Sequence, residues 1–418
     1  MRSEPDILVI GGGVVGLFCA YHLRRAGATV TVVERGAVGG PQSCSSGNTG
    51  FVGTRSAPLA EPGVLAQGLR WLSSPSSPFF VRMRPDPELL RWLWRFRAAC
   101  TEEAANAVSA VLEEMKRRSL EILRELCAGG GLASTFTPAG ILVAYRTAHG
   151  FEKACRSVPA AAARGVRLRT LDPAALRALE PEVAWDVCGA VHDEDAACLR
   201  TPDFVVELAR TLEAMGVEIE APCQVSGFEA AAGRIVAVRT SLGDFRPRET
   251  VIAAGAWSAQ WARRLGVRLD LQPAKGYSVT VRTPRGAPRR PVLLSEGKVA
   301  LMPLGDRLRF GGTLELSGLD GAISERRVEG IRRTVRDYLP ELERTETLEV
   351  WRGFRPLTPD GLPLIGRAEP YRNLSIACGH GHLGMGLAPI TGRLIAQIVA
   401  GEPPDMDPTP LRVGRHGR

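Results

Sequence analysis

A glycine cluster near the start constrains this chain more than anything else in it. Asp6 to Ile10 is a short apolar run bounded by glycine, the pattern of a buried parallel strand. It leads into Gly11-Gly12-Gly13-Val14-Val15-Gly16, a G-x-G-x-x-G. Leu17, Ala20 and Leu23 then recur at helical spacing until Gly27, and Thr29 to Val33 alternates as a second strand ending in Glu34-Arg35. Each position has a mechanical reason. Gly11 permits the tight turn, Gly13 lets backbone approach a pyrophosphate, and Gly16 lets helix and strand pack closely. The helix N-terminus offers free N–H groups and the positive end of its dipole to phosphate. Glu34 stands where an acidic side chain accepts from adenosine ribose hydroxyls, and its charge disfavours a 2′-phosphate. Strand, loop, helix, strand and acid in that order specify a dinucleotide site. They do not separate NAD from FAD.

Composition narrows the rest. Hydrophobic residues make up 44% and charged residues 23% of 418, a globular balance that excludes a mostly disordered chain. No apolar stretch approaches the roughly 18–20 residues of a spanning helix. The first apolar run follows Glu4 and Asp6 and is broken by glycines, unlike a signal peptide. The nine cysteines are scattered without a C-x-x-C pair, which predicts reduced thiols, a cytoplasmic setting and no metal site. The net charge of +8 is spread along the chain and the aromatic share is 6%, so no nucleic-acid stripe is expected.

Further along, Ser43-Cys44-Ser45-Ser46-Gly47-Asn48-Thr49-Gly50 is a small-residue loop, and Glu249 to Ser258 reads as a strand running through Ala253-Ala254-Gly255-Ala256-Trp257. Trp351-Arg352-Gly353-Phe354-Arg355-Pro356 continues to Pro359-Asp360-Gly361 and Ile365-Gly366. Cys378-Gly379-His380-Gly381-His382-Leu383-Gly384-Met385-Gly386 then opens a helix. In this order the segments resemble the FAD-dependent D-amino-acid oxidase/dehydrogenase family, which includes glycine and sarcosine oxidases. The resemblance spans almost the whole chain. Pro58 to Leu65, Asp86 to Leu93 and Pro273-Ala274-Lys275-Gly276-Tyr277-Ser278 are most similar to bacterial D-amino-acid dehydrogenases. Gly379 to Met385 and Met302-Pro303-Leu304-Gly305-Asp306 look most like enzymes acting on D-hydroxyproline.

The resemblance implies an α/β fold: a Rossmann-like FAD-binding domain interleaved with an α+β substrate domain built on an antiparallel sheet. The FAD-binding segments are expected at 1–84, 195–262 and 355–402, the substrate segments at 85–194 and 263–354, and a loose Pro-rich tail at 403–418. Non-covalent FAD would be held by Gly11, Gly13, Val15, Gly16, Glu34, Arg35, Ser46, Asn48, Val225, Ala254, Gly255 and Trp257. The run Gly379, His380, Gly381, His382, Leu383 and Gly384 would complete the site, placing backbone donors and a helix N-terminus where negative charge develops on reduction.

The implied reaction oxidises a D-amino acid, or a cyclic imino acid such as D-proline or D-hydroxyproline, by hydride transfer from Cα to flavin. Glycine- or sarcosine-type substrates, a 2-hydroxy acid, or a flavin subunit of a hetero-oligomer are the alternatives. Arg355 matches the carboxylate-binding arginine, whose planar fork suits a bidentate partner. His382 is expected to polarise flavin or substrate, or to be structural. Tyr277 is expected either to reach the substrate or to pack within its strand. One departure stands out: where oxidases of the family carry a carboxylate-holding tyrosine, this chain has Val299-Ala300-Leu301-Met302. The electron acceptor is oxygen, a quinone or another carrier. The run Leu89 to Arg97, rich in arginine and aromatics, suggests either a packed helix or peripheral contact with the cytoplasmic membrane face.

Overall fold

The computed structural model describes residues 4–54, 58–66, 68 and 77–417, with only the backbone of Glu343. The glycine cluster does what its spacing predicts. Ile7–Ile10 is buried throughout and pairs in parallel with Val30–Val33 on one side and Glu249–Ile252 on the other. These strands are central in a six-stranded sheet that also takes in Glu218–Glu220, Leu374–Cys378 and Leu364–Arg367. All its pairs are parallel except the last, between Leu364–Arg367 and Leu374–Cys378. Two helices, Val14–Arg25 and Gly384–Ala400, lie together beside it. They approach so closely that a Cβ on Gly392 would sit 2.3 Å from the Phe18 carbonyl oxygen. Leu17, Phe18, Leu387 and Ile390 are fully buried there, each contributing about 1.5–3 kcal/mol of transfer free energy.

The second sheet has nine strands drawn from Phe79–Val81, Ile141–Tyr145, Leu168–Leu171, Gly189–Asp193 and five strands between Gln272 and Leu357. A hairpin around Gly305-Asp306 joins Val299–Leu304 to Arg307–Leu316, with Gly305 at φ +72°. The sheet is not wholly antiparallel as expected. Val292–Leu294 pairs in parallel with Ile141–Tyr145, and Arg307–Leu316 with Phe79–Val81. These partners come from distant segments, so no tight hairpin imposes the antiparallel sense. The helix Glu325–Tyr338 packs Val328, Ile331 and Val335 onto one face, against Val279, Leu301 and Phe310. The expected segment boundary at residue 355 falls inside the strand Thr347–Leu357.

The tail is also not loose. Leu411 is fully buried, and Arg415 grips Asp360 through Nε at 2.7 Å and Nη2 at 2.8 Å while donating to the Leu362 carbonyl. His416 reaches the same carboxylate at 2.9 Å. Proline prevents regular structure, but side-chain anchors hold an irregular backbone just as well. Burial pushes the Asp360 carboxyl upward, yet hydrogen bonds from Arg415 and His416 outweigh it and hold it far below the usual carboxylate range. A depressed carboxyl stabilises the fold above its unfolded pKa of about 4 and loses that contribution as the pH falls below it. Asp360→Asn should therefore cost on the order of 3 kcal/mol at pH 7, read by urea denaturation. The gap between variant and wild type should narrow below about pH 4.

Candidate active site

A cavity of about 1370 Å³ lies between the two sheets. Its nucleotide end is formed at the carboxyl ends of the parallel strands by Gly11, Gly13, Val15, Glu34 and Arg35. Gly11 adopts φ +116°, and a Cβ on Gly16 would lie 1.8 Å from the Gly11 carbonyl oxygen. Only glycine satisfies both demands. The Glu34 carboxylate accepts from the Gly12 N–H at 2.7 Å and the Gly36 N–H at 3.2 Å, which fixes it at the strand end. Beside it the Arg35 guanidinium stacks 3.8 Å above the Trp257 ring, and Phe354 meets that ring edge-on. Ala254, Gly255 and Val225 line the same end, where the Cys223 N–H donates to the Glu34 carbonyl at 2.6 Å.

The small-residue loop folds over the cavity differently from expectation. Ser45, not Ser46, faces the dinucleotide turn: its hydroxyl accepts from the Val14 N–H at 3.0 Å. Ser46 is buried, and its carbonyl accepts from Arg309 Nη1 at 2.6 Å and the Thr201 hydroxyl at 3.0 Å. Asn48 lines the cavity and is held through its carbonyl by Thr201 and Arg309. Arg309, a buried cation that pins this loop to the sheet, carried no sequence signal because its partners, two loop carbonyls, the Thr280 and Thr201 hydroxyls and Glu349, are scattered along the chain.

The loop Gly379–Leu383 hangs from the end of the Arg355 strand, the Gly381 N–H donating to the Pro356 carbonyl at 2.8 Å. Gly379 and Gly381 have positive φ, and Gly379 packs so tightly on Thr358 that a Cβ would come within 2.7 Å of its methyl. The two histidines separate. His380 turns into the following helix, Nε2 meeting the Thr391 hydroxyl at 2.8 Å, and burial pushes its pKa down to about 3. It also lines the cavity, so the hydrogen bond to Thr391 fixes its ring there. His382 is exposed to the cavity, where the surrounding protein and then the Arg355, Lys116 and Lys298 charges lower its pKa, so it is neutral at ordinary pH. Behind the loop, the helix Gly384–Ala400 begins without a side-chain cap.

Arg355 is the best-built element. Its strand pairs with Gln272–Arg282, placing Gly353 opposite Gly276. The guanidinium lies over Gly276, where a Cβ would come within 1.9 Å of Nη1, and Nη1 donates to the Thr313 carbonyl at 2.6 Å. Thr313 is held at φ +63°, beside a register break between Lys275 and Tyr277. That conformation costs a β-branched residue roughly 1–3 kcal/mol. At that φ the Thr313 carbonyl meets the guanidinium, and Arg355 lines the cavity. Burial lowers the Arg355 pKa to about 10, so it keeps its charge at neutral pH. Gly276→Ala should displace the fork and raise KM for a carboxylate substrate about 10- to 100-fold, with thermal stability nearly unchanged. Steady-state kinetics beside a melting curve would check this.

Tyr277 borders the cavity next to Gly276, but its side chain turns to the other face of the strand. It packs there with Val279 and Phe310, its hydroxyl donating to Glu315 at 2.8 Å. Two residues without a sequence signal join the cavity wall. Lys116 arrives from the long helix Glu102–Leu126, and Asp193 accepts from the Thr54 hydroxyl at 2.8 Å. Burial raises the Asp193 pKa.

The residues fit a flavin dinucleotide. The glycine turn leaves open a space that a Cβ would close, Glu34 is set for a ribose, and the cavity exceeds the about 300–1,000 Å³ of ordinary ligand pockets. Comparison with known proteins agrees. The FAD dependent oxidoreductase family, DAO, matches residues 6–398. D-amino acid dehydrogenase of Methylobacterium radiotolerans is 36% identical, covering 98% of this chain and 99% of the relative. Its counterpart in Paramagnetospirillum magneticum is 37% identical over 95% of each. Among solved structures, glycine oxidase from Geobacillus kaustophilus superposes with a TM-score of 0.75 at 24% identity, covering 99% of this chain and all of that one. L-proline dehydrogenase from P. horikoshii gives 0.71 at 19% identity, covering 96% and 95%. With a family match over nearly its whole length and relatives above 30% identity along it, the chain belongs to the DAO family of FAD-dependent oxidoreductases.

Proposed function

We propose that this flavoenzyme oxidises D-amino acids or cyclic D-imino acids to the imine, which hydrolyses to the 2-keto acid. The observation that carries the reading is the Arg355 fork, pinned between Gly276 and the Thr313 carbonyl and open to the cavity. The curated relatives named D-amino acid dehydrogenase support the substrate class. Arg355 binds the substrate carboxylate and so fixes the orientation of Cα. The positive charges of Arg355, Lys116 and Lys298 that act on His382 disfavour a further cation beside it, so the substrate ammonium gives its proton to solvent and reacts as the free amine, with neutral His382 orienting the nitrogen. When bound, FAD supplies the hydride acceptor. The Gly379–Leu383 backbone and the uncapped N-terminus of Gly384–Ala400 set a positive field where negative charge builds up. The six-stranded sheet serves as the cofactor domain and the nine-stranded sheet as the substrate domain.

Anaerobic addition of D-amino acids, D-proline and D-hydroxyproline to the yellow protein tests the reading. Bleaching by members of this panel and none by 2-hydroxy acids or sarcosine is the expected result. Bleaching only by hydroxy acids, or only after a partner protein is added, would overturn it.

No helix among the described residues is long and apolar enough to cross a membrane. The helix Pro87–Ala99 buries Leu89, Trp92 and Phe96, which accounts for most of its aromatic character. Leu90 and Trp94 remain 53% and 69% exposed, near the 68% exposed Met83 in sequence. This edge supports a weak interfacial contact, through which a quinone acceptor would be reached. Co-sedimentation with anionic vesicles should fall severalfold in Trp94→Ser.

A further inference from the structure

The floor of the cavity says more about the substrate. One transverse row crosses the nine-stranded sheet: Val191 opposite Val143, then Leu293, Ala300, Gly311, Ser278 and Trp351 in turn. Residues directly opposite one another share a face. All of this row except Ser278 lines the cavity, while the alternate residues Leu142, Leu301 and Phe310 fill the core beneath. The row has two halves. Between Trp351, on the Arg355 strand, and the far strands it is small: Ser278, Gly311 and Ala300. Beyond Ala300 it becomes Leu293, Val143 and Val191, bordered by Ile141, Tyr145 and Leu168. Polar groups bracket this floor without interrupting it. Ser295 and Lys298 lie one pleat away, and Asp193 is tied to Thr54.

Ala300 is the gate between the halves. Strand alternation places Ala300, not Leu301, on the cavity side, at the segment where family oxidases carry a tyrosine. From the sheet itself only Ser278, Gly311 and Ala300 rise between the Arg355 strand and the apolar floor, with the Thr49 methyl over Gly311 and the Trp351 indole over Gly353 forming the facing wall. Val143 and Leu293 are only half-buried, so a ligand side chain laid over them would remove apolar surface from water.

We propose that the substrate side chain lies along this floor. The preferred substrates are then D-amino acids with large apolar side chains, branched aliphatic or aromatic, in preference to D-alanine, and Ala300 sets that preference. The assignment rests on the D-amino-acid reading above.

The test compares wild-type holoenzyme with Ala300→Phe and, as a second variant, Leu293→Thr. In the first arm, kcat/KM is measured for D-phenylalanine, D-leucine and D-alanine. Wild type should favour the two large substrates by at least about tenfold, and each variant should lower that ratio by about tenfold or more. In the second arm, phenylacetate, 4-methylpentanoate and acetate are titrated against the flavin spectrum, which requires no turnover. The two large carboxylates should bind at least about tenfold tighter than acetate in wild type only. D-alanine used as well as the large substrates, or carboxylates of all sizes binding alike, would overturn the proposal. If no D-amino acid reduces the flavin yet large carboxylates bind tightly and Ala300→Phe abolishes this, the apolar floor stands and the D-amino-acid reading falls.

Discussion

Lysine in place of Arg355 is expected to raise KM for a carboxylate substrate by roughly 30- to 1000-fold, a loss of about 2–4 kcal/mol. The charge is retained, so the effect comes from geometry and burial. The guanidinium presents several N–H groups in one plane, one of them fixed on the Thr313 carbonyl at 2.6 Å and the others free to meet two carboxylate oxygens. An ammonium lying over Gly276 offers a single point charge and cannot bridge both partners. Burial that lowers the arginine to about 10 should lower a lysine further, from its lower starting value of about 10.4. The variant should therefore bind substrate worse as the pH rises from 7 to 9, while wild type should not lose its cation over that range. Steady-state kinetics at several pH values separates KM from kcat, and an unchanged KM would remove Arg355 from its role.

Gly16→Ala should give a colourless, destabilised protein. The new Cβ would lie 1.8 Å from the Gly11 carbonyl oxygen and 3.4 Å from Val9, both in the first strand and turn. Backbone cannot yield there without shifting Val14–Arg25 against the sheet, an overpacking cost of about 1–3 kcal/mol. FAD affinity should fall by about a hundredfold or more, because the helix N-terminus would no longer address the pyrophosphate. Gly13→Ala provides the contrast. Its Cβ meets only the Ser45 hydroxyl, at 3.5 Å, so the fold should keep its melting temperature while cofactor binding is lost. Melting curves and released-flavin absorbance distinguish the two outcomes.

Much of the nucleotide end was legible because its demands are local. A turn that needs φ +116° at Gly11 and a helix that needs no Cβ at Gly16 leave a spacing in the chain. Glu34 follows from strand length alone. Alternation was legible too, since the hairpin around Gly305-Asp306 lies where pattern and turn residues place it. Misreadings arose where a side chain had two plausible directions. Tyr277 and Gly276 are neighbours, and which of them faces the cavity depends on register against Thr347–Leu357 and Arg307–Leu316. Ser45 and Ser46 are likewise alike in sequence and meet different partners. The tail looked loose because proline is visible in a sequence and the Arg415–Asp360 anchor is not.

By itself, then, the amino-acid sequence determined the dinucleotide turn, its acidic partner, the family and the arginine proposed to address a carboxylate. Each of these is a short-range constraint written into consecutive residues. Tertiary structure decided what surrounds that arginine: the strained Thr313 carbonyl, Gly276 beneath the fork, the Arg309 anchor and the row from Ala300 to Val191. These groups come from strands scattered along the chain, and only sheet register brings them to one face. Register is set by the packing of whole strands, so no local pattern reports it.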